Sequence, residues 1–229
     1  SNNWISAYLM SKLNPQQFVQ MLRDFGINNP DIHASMSLCL GPCEVSVSEM
    51  VSAYTAFANH GIRTAPMFVS RIEDNEGNTI ATFQPRMNEV IGAENAMKML
   101  TMLMGVVDGG TAGRLRYRYN LEGQIGAKTG TTNNNSDGWF IGFTPQLVSG
   151  CWVGGEERDI HFDSMSMGQG ATMALPIWAI FMKKVYADPT LGIRPDVKFD
   201  LPDGYDPCYK PKSDQDDFEQ VDGIDEVFE

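Results

Sequence analysis

Apolar residues in the first half of the chain recur at helical spacing and follow residues that commonly start helices. Asn14 stands before a proline and two glutamines, the pattern of a capped helix with proline in its first turn. Ser46 and Glu49 form a capping box ahead of another apolar run. A first helix is predicted from Ile5, Tyr8, Leu9 and Leu13. A later one, over residues 93–107, carries Ala96, Leu100, Leu103 and Val107 on one face.

Shorter apolar stretches predict strands. Residues 67–72 and 79–83 flank the turn residues 75–78, which is the pattern of a hairpin. Residues 124–132, 138–143 and 147–153 predict three more strands. Because short turns join them, we expect an antiparallel sheet. A last helix is expected over residues 171–186, and helices followed by strands and a helix predict an α+β fold.

The composition changes after residue 188. Prolines recur there, and residues 213–229 hold eight acids and no Lys or Arg. The whole chain has a net charge of −12 from 17 bases and 29 acids. Without those eight acids, 21 remain against the 17 bases, so the body is nearly balanced. We therefore divide the chain into a domain over 1–187 and an acidic tail over 188–229. The tail charge is either solvated or docks on a basic partner.

Several classes of protein are disfavoured. There is no basic patch, so nucleic acid is not an expected partner. There is also no run of about 18 apolar residues that would cross a membrane. The start of the chain has neither an initiator methionine nor a signal-peptide pattern. We expect the chain to begin inside a longer protein, with any membrane anchor upstream.

Cysteine and histidine positions give no sign of a metal site or a catalytic triad. Cys39 and Cys43 lack a second pair at zinc spacing, so no zinc site is predicted. Buried thiols and a local disulfide both remain open readings. The other cysteines are Cys151 and Cys208. The histidines, which show no triad-like grouping, are His33, His60 and His161.

The tripeptide Lys128-Thr129-Gly130 lies in the first strand of the predicted sheet. A lysine on a strand edge, with hydroxyls beside it, can hold a carboxylate by charge-assisted hydrogen bonds. Thr131 supplies another hydroxyl. A glycine allows close approach of a second backbone to the strand. Alone the tripeptide is a weak signal, because it also suits a strand with one exposed lysine.

The residues around the tripeptide make the pattern specific. Asp137-Gly-Trp-Phe-Ile-Gly-Phe-Thr-Pro145 follows it, and Cys151-Trp-Val-Gly154 comes next. Residues 40–61 and 107–115 agree with the same pattern. Over residues 1–187 the chain resembles the transpeptidase domain of class A penicillin-binding proteins. The resemblance implies the fold shared by penicillin-binding proteins and serine β-lactamases, an antiparallel sheet flanked by helices, here incomplete.

The resemblance also implies site roles. Ser1 and Asn3 match the family's Ser-x-Asn element, in which the serine shuttles a proton and the asparagine holds the nucleophile's lysine and a substrate amide. Lys128 to Thr131 match the carboxylate-binding strand, and the backbone N–H of Thr131 matches an oxyanion donor. For Thr132, Asn133 and Trp139, structural and ligand-contact readings stay open. No Ser-x-x-Lys occurs in the 229 residues, so we expect the nucleophile upstream and this chain alone to be inactive.

The activity that the resemblance implies is cross-linking of peptidoglycan stem peptides ending in D-alanyl-D-alanine, with β-lactams as substrate mimics. It implies no metal and no organic cofactor. A glycosyltransferase domain and an N-terminal membrane anchor would precede this chain, and the domain would face the periplasm. Two alternatives remain. One is a hydrolase, either a D,D-carboxypeptidase or a β-lactamase. The other is a non-catalytic binding module of a wall-synthesis complex.

Overall fold

The computed structural model describes residues 2–205, so Ser1 and residues 206–229 lie outside the described part. The chain forms helices, small paired strands, a three-stranded sheet and a final long helix. The helices are α1 (Asn3–Ser11), α2 (Pro15–Asp24), α3 (Val47–Ala58), α4 (Ala93–Asp108), α5 (Arg114–Tyr117), α6 (Met165–Gly168) and α7 (Gly170–Ala187). The strands are β1 (Ile62–Thr64), β2 (Arg71–Glu73), β3 (Thr79–Thr82), β4 (Met87–Glu89), β5 (Gly126–Thr131), β6 (Asp137–Phe143) and β7 (Val148–Gly154).

The predicted helix starts are confirmed. The side chain of Asn14 accepts hydrogen bonds from the backbone N–H groups of Gln16 and Gln17. Ser46 and Glu49 form both bonds of the capping box. These side chains satisfy N–H groups that have no partner inside the helix, which is why each helix begins where the pattern places it.

Strands β5, β6 and β7 form an antiparallel sheet in that order, as predicted. Lys128 pairs with Ile141 across β5 and β6, and Phe140 pairs with Cys151 across β6 and β7. Helices cover both faces of the sheet. A Cβ added to Gly142 would meet the ring of Trp178 on α7, and one added to Gly150 would meet Val51 on α3.

The main core lies between the sheet and α7. Phe140, Leu175 and Trp178 are almost completely buried there. The indole N–H of Trp178 donates to the hydroxyl of Ser149 over 2.7 Å, so its one polar atom is paired. The predicted apolar face of α4 is buried, with Ala96, Leu100, Leu103 and Val107 all at most 6% exposed. The α+β architecture predicted from the sequence is therefore confirmed.

One pair of strands was not predicted, and the hairpin is shorter than predicted. β1 and β4 pair antiparallel outside the β2–β3 hairpin. Each has only three residues, too few to show an alternating pattern. The first hairpin strand begins at Arg71 rather than at residue 67. Phe68 lies in the part of the predicted strand that is not a strand in the structure. Its side chain is 88% exposed, so its apolar character does not mark a buried strand.

Helix α1 exists as predicted, but its predicted apolar face is not buried. Ile5 and Leu9 are 58% and 57% exposed, whereas Met10 is 1% exposed. The helix packs against the 3-10 turn Met36–Leu40. Helical spacing shows which residues share a face, but burial requires a neighbouring element on that face.

Part of the segment assigned to the tail packs on the domain. Phe199 is 7% exposed and lies against Leu100, Leu103 and Phe143. Its backbone N–H donates to the side chain of Gln124 over 2.7 Å. Residues 188–205 thus contribute to the core, while the acidic residues 213–229 and Cys208 lie outside the described residues. The division at residue 187 stays a prediction.

Residues 2–205 also show the state of three cysteines and the character of the helices. Cys39, Cys43 and Cys151 are free thiols, so the local Cys39–Cys43 disulfide is absent. None of the described helices combines the length and the apolar character that a membrane crossing requires.

Candidate active site

Strand β5, which carries the Lys128-Thr129-Gly130 tripeptide, is an edge strand among the described residues and pairs only with β6. The backbone N–H of Thr132 donates to the carbonyl of Asp137 over 3.1 Å, so the backbone groups of Thr132 face β6. In an antiparallel pair, alternate residues point their N–H and C=O groups to the same side. The backbone groups of Thr129 and Thr131 therefore face the open edge.

Lys128 lies partly buried on this strand. Its ammonium donates to the carbonyl of Thr129 over 2.6 Å. Burial lowers the pKa of the Lys128 ammonium, because the charged form loses hydration. A partly desolvated cation at a strand edge interacts more strongly with an incoming anion than one in open water.

The hydroxyl of Thr129 lies 3.0 Å from that of Thr111, in the loop after α4. Ala112, the next residue of that loop, is completely buried and holds the loop against the core. The open edge at Thr129 is therefore bordered by a fixed hydroxyl from a second element. The sequence did not single out Thr111 by itself, although its Gly-Gly-Thr-Ala-Gly surroundings formed part of the resemblance.

The first turn of α7 packs directly on the end of the tripeptide strand. The backbone N–H of Gly170 donates to the hydroxyl of Thr131 over 3.0 Å. A Cβ at Gly170 would lie 2.3 Å from the carbonyl oxygen of Gly130 and 2.5 Å from that of Trp139. Only glycine permits this approach, and sequence patterns alone do not reveal that requirement.

Residues 1–150 match the family model described as the penicillin binding protein transpeptidase domain. The match covers well over half of the 229 residues, including all of β5 and β6 and the first three residues of β7. The chain belongs to the penicillin-binding protein transpeptidase family. The resemblance read from the tripeptide and its surroundings is confirmed.

Relatives and solved structures of the same family agree. Penicillin-binding protein 1A of Aquifex aeolicus is 33% identical over 202 residues, which cover 88% of this chain and 26% of that protein. Its counterpart in Neisseria lactamica is 33% identical over 214 residues, covering 89% and 25% respectively. The crystal structure of penicillin-binding protein 1A from Haemophilus influenzae superposes with a TM-score of 0.77 at 25% identity, covering 88% of this chain and 34% of that one. The chain spans about a quarter of the length of the curated relatives that it matches.

Three other residues considered from the sequence, Asn3, Asn133 and Trp139, lie on separate elements. Asn3 is exposed in the first turn of α1, and the residues from 2 to 205 show no hydrogen bond between it and Lys128. Ser1 lies outside the described residues. Asn133 is exposed in a short 3-10 turn, and Trp139 lies half-buried with its ring centre 6.4 Å from that of Trp152. Within residues 2–205 the structure assembles Lys128 to Thr131 on one edge, and the role of Asn3 stays a prediction.

The described part of the chain contains no group of three or more His, Cys, Asp or Glu side chains arranged to hold a metal ion. His60 lies at the surface, 3.7 Å from the carboxylate of Asp200. The polar groups gathered at the β5 edge are hydroxyls, backbone amides and one ammonium. These groups suit recognition of a carboxylate and stabilisation of an oxyanion.

Proposed function

We propose that this chain is the C-terminal part of a serine D,D-transpeptidase domain that cross-links peptidoglycan stem peptides. The intact protein, as we use the term below, is the longer chain that would carry the Ser-x-x-Lys segment upstream. Two facts support a longer protein. The chain spans about a quarter of its curated relatives, and its 229 residues contain no Ser-x-x-Lys.

The observation that carries the proposal is the open β5 edge. Lys128 and the hydroxyls of Thr129 and Thr131 lie on one strand whose alternate backbone groups face outward. A peptide with a free carboxylate can lie along such an edge as an added strand, with its main chain paired to β5. Its carboxylate would then accept hydrogen bonds from Lys128 and the nearby hydroxyls.

In the proposed reaction, the upstream serine oxygen attacks the carbonyl carbon of the penultimate D-alanine. The negative charge that develops on the carbonyl oxygen is stabilised by the outward N–H of Thr131. The peptide C–N bond then breaks, and the terminal D-alanine leaves as an amine that has gained a proton. An amine of a second stem peptide attacks the resulting ester and releases the serine. We assign Ser1 to the proton transfer and Asn3 to positioning the upstream lysine and the substrate amide.

β-Lactams would acylate the same serine, since they carry a reactive amide next to a carboxylate. The solved structure of the mycobacterial protein PonA1 in complex with penicillin V has the same fold, with a TM-score of 0.66. We further propose a glycosyltransferase domain and a membrane anchor in the intact protein, with this domain at the periplasmic face.

The test is covalent labelling of the intact protein with a fluorescent penicillin, with the adduct measured by intact mass. We expect one drug molecule per protein. Lys128→Ala should lower the second-order rate constant of labelling by about 100-fold, because one charge-assisted contact to the drug carboxylate is lost. Lys183→Ala, at an exposed lysine of α7, is the matched control and should label like the unaltered protein.

A folded intact protein that takes no label would remove the catalytic proposal and leave a non-catalytic binding module. If the protein labels, the fate of a D-alanyl-D-alanine donor distinguishes the remaining enzymes. Transfer to an added amine supports the transpeptidase. Release of only the free acid with the amine present would instead assign a hydrolase.

A further inference from the structure

The turn that follows the tripeptide strand is closed by the carboxylate of Asp137, the first residue of β6. One carboxylate oxygen, Oδ2, accepts from the hydroxyls of Thr132 and Ser136 over 3.1 and 3.0 Å. The other, Oδ1, accepts from the indole N–H of Trp152 on β7 over 2.9 Å. Ser136 is 7% exposed, so the hydroxyl side of this network is largely removed from water, whereas Trp152 is 41% exposed.

Thr132 is tied to Asp137 through its backbone as well as its side chain. Its N–H donates to the carbonyl of Asp137 over 3.1 Å, and its hydroxyl accepts from the N–H of Asp137 over 2.8 Å. With the bond to the carboxylate, three hydrogen bonds hold Thr132 against the start of β6. The N–H of Thr132 belongs to the peptide unit that joins Thr131 to Thr132. Holding this peptide unit in place therefore also restrains Thr131, and the N–H of Thr131 faces the open edge.

We propose that Asp137 is a positioning residue that fixes the direction of the Thr131 N–H toward the developing oxyanion. This inference rests on the proposed function of the β5 edge. An oxyanion donor acts only if its N–H is aimed at the position that the charged oxygen will occupy. The carboxylate reaches Thr131 through Thr132 and does not itself touch the substrate.

The carboxylate of Asp137 is closely packed against residues of β7. A Cβ added to Gly154, its partner on β7, would lie 2.8 Å from Asp137 Oδ1 and 2.6 Å from the Trp152 ring. The indole bond therefore depends on the bare backbone of Gly154. Strands β6 and β7 thus hold the turn from the side opposite the open edge. Through the hydrogen bonds of Asp137 to Thr132, they also restrict the motion of Thr131.

The experiment measures two constants for penicillin acylation of the intact protein by stopped flow: the affinity of the initial complex and the limiting rate of acylation. Asp137→Ala should lower the limiting rate by about 10- to 100-fold while the affinity changes by less than about threefold. The separation arises because the oxyanion exists only in the transition state. Asp163→Ala, at an exposed carboxylate, is the control and should leave both constants unchanged.

Two variants of Thr132 test the route of the effect. Thr132→Val removes the hydroxyl at nearly constant shape and should reproduce the loss of rate. Thr132→Ser keeps the hydroxyl and should restore the rate to within about threefold of the unaltered protein. Loss of fold alone would reduce the fraction of protein that reacts, which the amplitude reports, and would leave the rate of the folded remainder unchanged.

The outcomes separate this inference from the proposal on which it rests. If the unaltered protein does not acylate, the proposed function fails. If it acylates and Asp137→Ala and Thr132→Val both keep the full limiting rate, only the positioning role is wrong. An equal loss in Thr132→Ser and Thr132→Val would also overturn it, since the hydroxyl would then be irrelevant.

Discussion

The backbone N–H of Gly170 donates to the hydroxyl of Thr131 over 3.0 Å, which joins the start of α7 to the end of the tripeptide strand. The two residues are 39 positions apart in the chain. The bond satisfies one of the N–H groups at the start of α7 that no helical carbonyl can reach. It also fixes the Thr131 side chain on the face of the sheet that α7 covers.

Replacement of Gly170 by alanine should separate α7 from the sheet. The added Cβ would lie 2.3 Å from the carbonyl oxygen of Gly130 and 2.5 Å from that of Trp139, and backbone atoms cannot yield cheaply. We expect a fall of about 1–3 kcal/mol in the free energy of unfolding, measured by chemical denaturation of the intact protein. Penicillin labelling should slow in the same variant.

Gly105→Ala is the matched control, because Gly105 is an exposed helical glycine of α4 with no atom within 4 Å of an added Cβ. This change should raise the free energy of unfolding by about 0.5–1 kcal/mol, since alanine favours helix. Equal effects of the two substitutions would mean that the close contact at Gly170 has no energetic weight.

Acylation should weaken with rising pH earlier than an ordinary lysine would allow. Burial holds the pKa of Lys128 below its usual 10.5, so the ammonium loses its proton before a free lysine does. Carboxylate binding needs the charged form, so the apparent affinity for penicillin should fall as pH passes through the lowered pKa. A pH series of labelling rates measures the midpoint.

The contribution of Lys128 to the free energy of unfolding changes with pH in the opposite direction from the affinity for penicillin. Between its lowered pKa in the folded protein and 10.5, the unfolded state binds more protons. This residue's contribution to stability therefore rises with pH across that window. Lys128→Arg keeps its charge throughout and should move the alkaline loss of labelling to higher pH. An unmoved midpoint would assign the titration to another group.

Phe199→Ala tests whether the segment after α7 belongs to the folded domain. Phe199 is 7% exposed against Leu100, Leu103 and Phe143, so truncation should leave a cavity and cost about 3 kcal/mol of unfolding free energy. Leu191→Ala, at a residue 52% exposed in the same segment, should cost less than about 1 kcal/mol. Comparable small losses in both would show that the segment only lies on the surface.

Local signals in the sequence were sufficient for the five longer helices and for the tripeptide sheet, but not for the four-residue helices α5 and α6. Asn14, Ser46 and Glu49 act on backbone groups within one turn, so their effect does not depend on distant residues. The four buried residues of α4 repeat at helical spacing. The turn at residues 144–146 is so short that β6 and β7 must lie side by side and pair antiparallel. The Lys128-Thr129-Gly130 tripeptide and its neighbours also indicated the family before any contact was known.

The sequence by itself determined where α1 to α4, α7 and the strands of the tripeptide sheet lie, since capping, periodicity and turn chemistry act over a few residues. Only the tertiary structure decided that α1 leaves Ile5 and Leu9 exposed and that Phe199 enters the core. It also decided that Gly170 meets Thr131 and that Asp137 closes the turn with help from Trp152. Each of these depends on which elements pack together. Packing is set by the shapes of surfaces brought together from distant parts of the chain, and no local pattern records it.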